Sequence, residues 1–89
     1  MTESFTDNAA EGRFEYRMNG EVAFAKYRRS GGVLYIDYVE APAALRGTGA
    51  AGKLMSAIMQ LAKESGVKVI PVCGYAASWI SKHPEYAHV

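Results

Sequence analysis

Three glycines fall within six positions near the middle of this chain, at residues 47, 49 and 52. They separate a run rich in β-branched and aromatic residues, 33–39, from an apolar run with helical spacing. Glycine lets the backbone approach another group closely. A helix that begins here directs free N–H groups and its positive dipole end outward. A strand, a glycine-rich turn and a helix in this order predict an anion site, most often for phosphate.

The composition is that of one small domain. The chain has 89 residues, of which 49% are hydrophobic and 21% charged, and a net charge of +1. A chain of this length buries roughly 60% of its unfolded surface, which allows one modest core. The low net charge argues against a dedicated nucleic-acid binder, and the single cysteine excludes an internal disulfide and a cysteine-based metal cluster.

We find no signal-peptide pattern at the N-terminus. Apolar runs also stay well short of the about 18 residues that a membrane span needs. We therefore expect a cytoplasmic protein that binds neither a membrane nor nucleic acid and holds no metal.

Hydrophobic patterning predicts the order of elements. Residues 1–12 are small and polar, which indicates a flexible leader before a single domain over 13–89. Three alternating segments joined by Asn19-Gly20 and Ser30-Gly31-Gly32 predict an antiparallel meander. These segments are 13–18, 22–29 and 33–39.

The second half of the chain predicts an amphipathic helix over 48–64, a strand over 67–72 and a short helix over 75–82. The last strand follows a strand–helix unit, so it should pair parallel to the third strand. Pro71 should lie on a sheet edge or at an interruption, because it has no N–H to donate. The predicted fold is a mixed α+β, β-β-β-α-β-α arrangement.

Two nucleotide motifs match the glycine stretch incompletely. Residues 47–52 fit the dinucleotide pattern G-x-G-x-x-G, but about six residues separate them from the preceding strand, and the chain is too short for that domain. Residues 47–53 fit most of a P-loop, but the Mg²⁺-binding hydroxyl position is Leu54. The remaining alternative is that the glycines only form a tight strand-to-helix turn.

A third pattern, Arg46-x-x-Gly49-x-Ala51, resembles the acyl-CoA signature Q/R-x-x-G-x-G/A of the GNAT superfamily of N-acetyltransferases. Later stretches resemble the short YjdJ-type branch of that superfamily. They are Pro71-Val72-Cys73-Gly74-Tyr75, Trp79-Ile80 and His83-Pro84-Glu85-Tyr86. The resemblance covers roughly residues 14–88. It implies a minimal acetyl-CoA-binding fold without the longer N-terminal helices of typical members.

The resemblance also implies where acetyl-CoA would bind. Backbone N–H groups of about residues 46–51 would cradle the pyrophosphate, and the third and fourth strands would splay to admit the pantetheine arm beside Val39, Glu40 and Ala41. Arg46 and Lys53 either contact phosphate or are solvated surface cations. The predicted cofactor-binding residues are Val39, Ala41, Leu45, Arg46, Gly47, Thr48, Gly49, Ala50, Ala51, Gly52, Lys53 and Tyr75.

Cys73 is the first candidate for catalysis, because it follows a strand and precedes a probable helix start, where a thiolate is favoured. It either forms an acetyl-cysteine intermediate, lines the pocket while the amine attacks directly, or packs as a small buried hydrophobe. Glu40 is either a general base or an exposed strand-end carboxylate. Tyr75 protonates the departing thiolate, stacks on the cofactor, or packs at the helix start.

The family often has a His-Thr pair on the third strand, where this chain has Tyr38 and Val39. That departure removes an obvious base. Trp79 and Ile80 are predicted core residues, and His83 is predicted to end the last helix.

The predicted function is acetyl-CoA-dependent N-acetylation of an amine, on a small molecule or a protein lysine. The alternative is a non-catalytic CoA-binding or protein-interaction module, since no additional domain builds an acceptor pocket. An exposed sheet edge would favour a homo-oligomer.

Overall fold

A computed structural model describes residues 3–86 and 89 of the chain. One five-stranded sheet, in the order β1-β2-β3-β4-β5, carries two helices. The elements are β1 (Ser4–Asn8), β2 (Arg13–Met18), β3 (Glu21–Ser30), β4 (Val33–Glu40), α1 (Ala50–Ser65), β5 (Lys68–Pro71) and α2 (Gly74–Ser81). Strands β1 to β4 pair antiparallel, and β5 pairs parallel with β4. The mixed sheet and the helix order confirm the predicted fold class.

Strand β1 is an addition to the predicted meander. It pairs with β2 from Ser4↔Arg17 to Asn8↔Arg13, so the expectation of a flexible leader is wrong for residues 4–8. Phe5 is the one large apolar side chain of this strand, and its ring stacks on Phe14 with centroids 5.6 Å apart. One apolar residue in five gives no readable alternation. Residues 1–2 of the predicted leader and 87–88 of the predicted domain lie outside the described residues.

Helix α1 covers one face of the sheet. Its apolar stripe is fully buried at Leu54, Met55, Ile58 and Met59. The stripe packs on side chains from β2 and β4. The facing core residues include Phe14, Leu34 and Ile36. Gly66 ends the helix in the left-handed conformation, as its position predicts.

A bulge in β4 changes which side chains face the core. The β3–β4 register passes from Tyr27↔Ile36 to Lys26↔Tyr38 and so skips Asp37. Even-numbered Leu34 and Ile36 are buried before this point, whereas odd-numbered Val39 packs against the core after it. The extra residue therefore turns Tyr38 outward, where 46% of it is exposed.

Strands β4 and β5 separate halfway along β4. Their pairing runs from Val33↔Lys68 to Ile36↔Pro71, and residues 37–40 continue without a β5 partner. Pro71 occupies the last pair of an edge strand, as predicted. We call this opening, between residues 37–40 and residues 72–75, the fork. The splay that the family resemblance implies is therefore present. Neither helix of the described chain has the length that crossing a membrane requires.

Candidate active site

The glycine-rich turn takes its shape from backbone conformation. Gly47 and Gly49 have φ angles of +80° and +82°, in the left-handed region. A Cβ atom at either position would meet nothing within 4 Å. Glycine is therefore favoured here because L-residues are strained at such angles, while the space above both positions stays open to a ligand.

The turn uses some of its own N–H groups and leaves others free. The N–H groups of Arg46 and Thr48 donate to carbonyls three residues earlier, at 3.2 and 3.1 Å. The Ala50 N–H donates to the Thr48 hydroxyl oxygen at 3.2 Å. Within the turn, the N–H groups of Gly47, Gly49, Ala51 and Gly52 have no acceptor among the described residues. The free donors thus differ from the predicted set, residues 46–51.

Three predicted cofactor-binding residues have structural roles that sequence reasoning did not separate from ligand binding. Leu45 is 2% exposed and Ala50 is 1% exposed, so their side chains belong to the core. The Thr48 hydroxyl donates to the Leu45 carbonyl while it accepts from Ala50, which pins the turn to the start of α1. The fold thus uses these three side chains, and cofactor binding by residues 45, 48 and 50 stays a prediction.

A carboxylate from the edge of the sheet pairs with the cation beside this turn. Lys53 Nζ lies 3.1 and 3.3 Å from the two Glu3 carboxylate oxygens. The Tyr16 hydroxyl also donates to Glu3. These two hydrogen bonds, that of Tyr16 first, lower the pKa of the Glu3 carboxyl. In the described part of the chain the Arg46 side chain has no hydrogen-bonding partner, so it is available to a ligand.

The β4 side of the fork places a carboxylate among aromatic rings. Glu40 is exposed and accepts a hydrogen bond from the Tyr38 hydroxyl. This hydrogen bond raises the pKa of Tyr38. The Phe24 ring lies across the strand pair, 6.2 Å from that of Tyr38. Val39 and Ala41 are only partly buried, so both predicted contact residues keep accessible surface.

Cys73 lies at the other side of the fork. Its backbone N–H donates to the Ile36 carbonyl at 3.2 Å, and its Sγ caps α2 by accepting the Ala76 N–H at 3.4 Å. The thiol is half-buried. An N–H donor and the positive end of a helix both stabilise a thiolate. Two residues later, 43% of Tyr75 is exposed, and its partial burial raises the pKa of the phenol.

Exposed apolar side chains gather around the fork, which sequence reasoning missed. In the described residues the large hydrophobic side chains classed as exposed are Tyr38, Ile70, Val72 and Tyr75. Tyr38 lies on β4 after the bulge, Ile70 near the end of β5, Val72 between β5 and α2, and Tyr75 at the start of α2. The bulge hides this signal from sequence, because strict alternation would place Tyr38 in the core.

Part of the described surface outside the fork is also concave. A shallow concavity of about 220 Å³ lies at the far end of α1, lined by residues such as Ala62, Gly66 and Val89. It contains none of the predicted site residues. Among the described side chains, no group of three or more His, Cys, Asp and Glu could hold a metal ion.

Comparison with known proteins identifies a matching family and a solved structure of similar fold. A family model described as GCN5-related N-acetyl-transferase matches residues 13–89. The solution structure of a GCN5-like protein from Staphylococcus aureus has a TM-score of 0.70 and 24% identity, over 97% of this chain and 85% of that one. At this identity the likeness shows the fold. No curated protein matched the chain. The YjdJ-type branch stays a prediction.

Proposed function

Because this chain belongs to the GCN5-related N-acetyltransferase family, we propose that it transfers the acetyl group of acetyl-CoA to an amine. One observation carries the proposal. Four free N–H groups lie within six residues at the start of α1. The fork that holds Cys73 opens at the end of β4 that leads into α1. An anion-binding end and an open strand edge suit a phosphate-bearing cofactor with a long amide-containing arm.

The pyrophosphate of CoA would bind at the N-terminus of α1. Gly47, Gly49, Ala51 and Gly52 supply the free N–H groups, and the helix dipole adds a positive end. Arg46 and Lys53 would contribute positive charge once Lys53 leaves Glu3. This set of donors needs no metal ion.

The pantetheine arm would lie in the fork. Residues 37–40 of β4 have no β5 partner, so the arm can take the place that β5 leaves. Its amides can bond to a strand edge as a peptide does. This path runs from α1 past Val39 and Ala41 and ends with the thioester near Cys73 and Tyr75.

Acetyl transfer at that point needs a neutral amine, a base that accepts the amine proton and an acid that protonates the departing thiolate. Glu40 would accept the proton of the amine, directly or through water. The raised pKa of the Tyr75 phenol keeps its proton available for the CoA thiolate. The first-turn N–H groups of α2 would stabilise the oxyanion of the tetrahedral intermediate.

Cys73 allows two routes. In one, its thiolate attacks the thioester carbonyl, and the CoA thiolate leaves and takes a proton from Tyr75. The amine then attacks the acetyl-cysteine, gives its proton to Glu40 and releases the Cys73 thiolate. In the other, the amine attacks acetyl-CoA directly and Cys73 lines the pocket. In both routes Sγ lies at the start of α2, 3.4 Å from the Ala76 backbone nitrogen.

The proposal is tested by calorimetric titration with acetyl-CoA, followed by turnover measurements over a panel of primary amines. We expect saturable binding and release of free CoA with at least one amine. Absence of binding up to millimolar acetyl-CoA would contradict the proposal. Binding without turnover on any amine would instead support the alternative function, a CoA-binding or interaction module.

A further inference from the structure

Helix α2 brings one aromatic side chain against the first turn of α1. A Cβ atom built on Gly52 would lie 3.7 Å from Trp79 Nε1. Gly52 is also one of the residues whose N–H is free. The indole nitrogen therefore lies next to the N–H groups proposed to bind phosphate, although Trp79 itself is predicted from sequence to be a core residue.

The indole ring of Trp79 is also held in place by aromatic stacking. The His83 ring stacks on it with centroids 3.6 Å apart and an interplanar angle of 10°. His83 Nδ1 also lies 2.7 Å from the Trp79 carbonyl oxygen. The Tyr86 ring also stacks with the indole, with centroids 5.9 Å apart. These contacts fix the direction in which the indole N–H points.

That N–H has no acceptor in the described part of the chain. The structure contains no fully buried side-chain nitrogen or oxygen without a partner there, so the indole nitrogen reaches solvent. Buried or half-buried tryptophans usually give their N–H to an acceptor. Here the packing fixes the donor beside Gly52 and leaves it open.

We propose that Trp79 is a ligand-binding residue of this site and that its indole N–H donates to an oxygen of the bound cofactor. This inference rests on the proposed function. The acceptor is an oxygen either of the pyrophosphate or of the pantetheine arm, because in the proposed binding mode both lie near the first turn of α1. Gly52 then favours cofactor binding for two reasons. Its own N–H is free, and its missing side chain keeps the space between α1 and Trp79 open.

The test is a nuclear magnetic resonance titration of the uniformly ¹⁵N-labelled protein with CoA. The sequence contains one tryptophan, so a single indole N–H resonance reports on Trp79. We expect this resonance to shift with the same dissociation constant as the amides of Gly47 and Gly49. ADP has the diphosphate without the arm, and pantetheine has the arm without the diphosphate. The one that shifts the indole resonance identifies the acceptor.

The variant Trp79→Phe keeps an aromatic ring but removes the donor. We expect CoA affinity to fall about fivefold, as for loss of one hydrogen bond. The control Tyr86→Phe removes a neighbouring hydroxyl, which donates to Gln60, and leaves the indole N–H unchanged. Its CoA affinity should equal that of the wild type.

An indole resonance that stays fixed while the amides of Gly47 and Gly49 shift would overturn this inference and leave the proposed function standing. If none of these resonances moves at millimolar CoA, both this inference and the proposed function are contradicted. The wild-type titration gives this answer even if Trp79→Phe does not fold.

Discussion

The backbone N–H of Cys73 donates to the carbonyl of Ile36 at 3.2 Å. Ile36 is also the last residue of β4 that pairs with β5. This bond therefore fixes the single cysteine of the chain at the point where the two strands part. Sequence order alone places Cys73 after a strand; the hydrogen bond places it at the mouth of the fork.

Replacing the thiol tests its chemical role. In Cys73→Ser the hydroxyl can still cap α2 by accepting the Ala76 N–H, so the fold should be kept. We expect the wild type to gain one acetyl group from acetyl-CoA by intact-mass measurement, and the variant to gain none. Turnover of the variant should fall by about 100-fold or more. Wild-type turnover in Cys73→Ser would instead indicate direct attack by the amine.

Gly52→Ala should separate stability from binding. The new methyl group would lie in ordinary contact with Trp79, 3.7 Å from Nε1, and alanine is favoured over glycine in a helix by up to about 1 kcal/mol. We therefore expect a melting temperature higher by up to about 4–8 °C. CoA affinity should fall about fivefold, because the methyl fills the space beside the free N–H.

The control for that variant is Ser56→Ala on the exposed side of α1, which improves helix propensity away from the site. It should raise stability slightly and leave CoA affinity unchanged. A Gly52→Ala protein that binds CoA as well as the wild type would show that this part of the turn does not contact the ligand.

Glu3 should weaken anion binding at the start of α1. It holds Lys53 Nζ at 3.1 Å and adds a negative charge there. Glu3→Gln should raise CoA affinity by about two- to fivefold at low salt, in line with an exposed ion pair. The gain should shrink as salt increases. Calorimetry at two ionic strengths measures both effects, and equal or weaker binding by the variant would show that Lys53 does not contact phosphate.

Glu15 should make folding stability depend on pH. It is 3% exposed and accepts hydrogen bonds from Arg13 Nε at 2.7 Å and Asn8 Nδ2 at 3.1 Å. These bonds, with that of Arg13 largest, lower its pKa in the folded state. Its contribution is therefore complete above the unfolded pKa of about 4.3 and is lost as pH falls through the lower folded pKa.

We expect Glu15→Gln to lower the free energy of unfolding at pH 7 by about 1–3 kcal/mol. The difference from the wild type should diminish below pH about 4. Urea denaturation at pH 7 and at acid pH measures this. Glu21→Gln, at an exposed carboxylate of the same sheet, is the control. A constant difference at every pH would mean that the Glu15 charge does not stabilise the fold.

Much of the fold could be predicted because its signals are local. Alternating apolar residues, the Asn19-Gly20 turn and the helical stripe that includes Leu54 and Ile58 each report on neighbours in sequence. Strand β1 escaped prediction because it has one large apolar side chain, Phe5, whose partner ring is on β2.

The position of the glycine-rich turn was predictable, but the details of the candidate site were not. The spacing from Arg46 to Ala51 located the turn, yet the division between used and free N–H groups depends on φ angles and on the Thr48 hydroxyl. The Glu3–Lys53 pair joins residues 50 positions apart. Hydrophobic periodicity in the sequence does not predict a contact between residues so far apart.

In the proposed function, CoA pyrophosphate binds the free N–H groups at the start of α1. The most direct test follows the backbone amide resonances of the ¹⁵N-labelled protein during titration with CoA, with pantetheine as the ligand that lacks the pyrophosphate. We expect CoA to shift the amides of Gly47, Gly49, Ala51 and Gly52 most strongly, and pantetheine to leave these four nearly unchanged. Amides of these residues that stay fixed at saturating or millimolar CoA would contradict it.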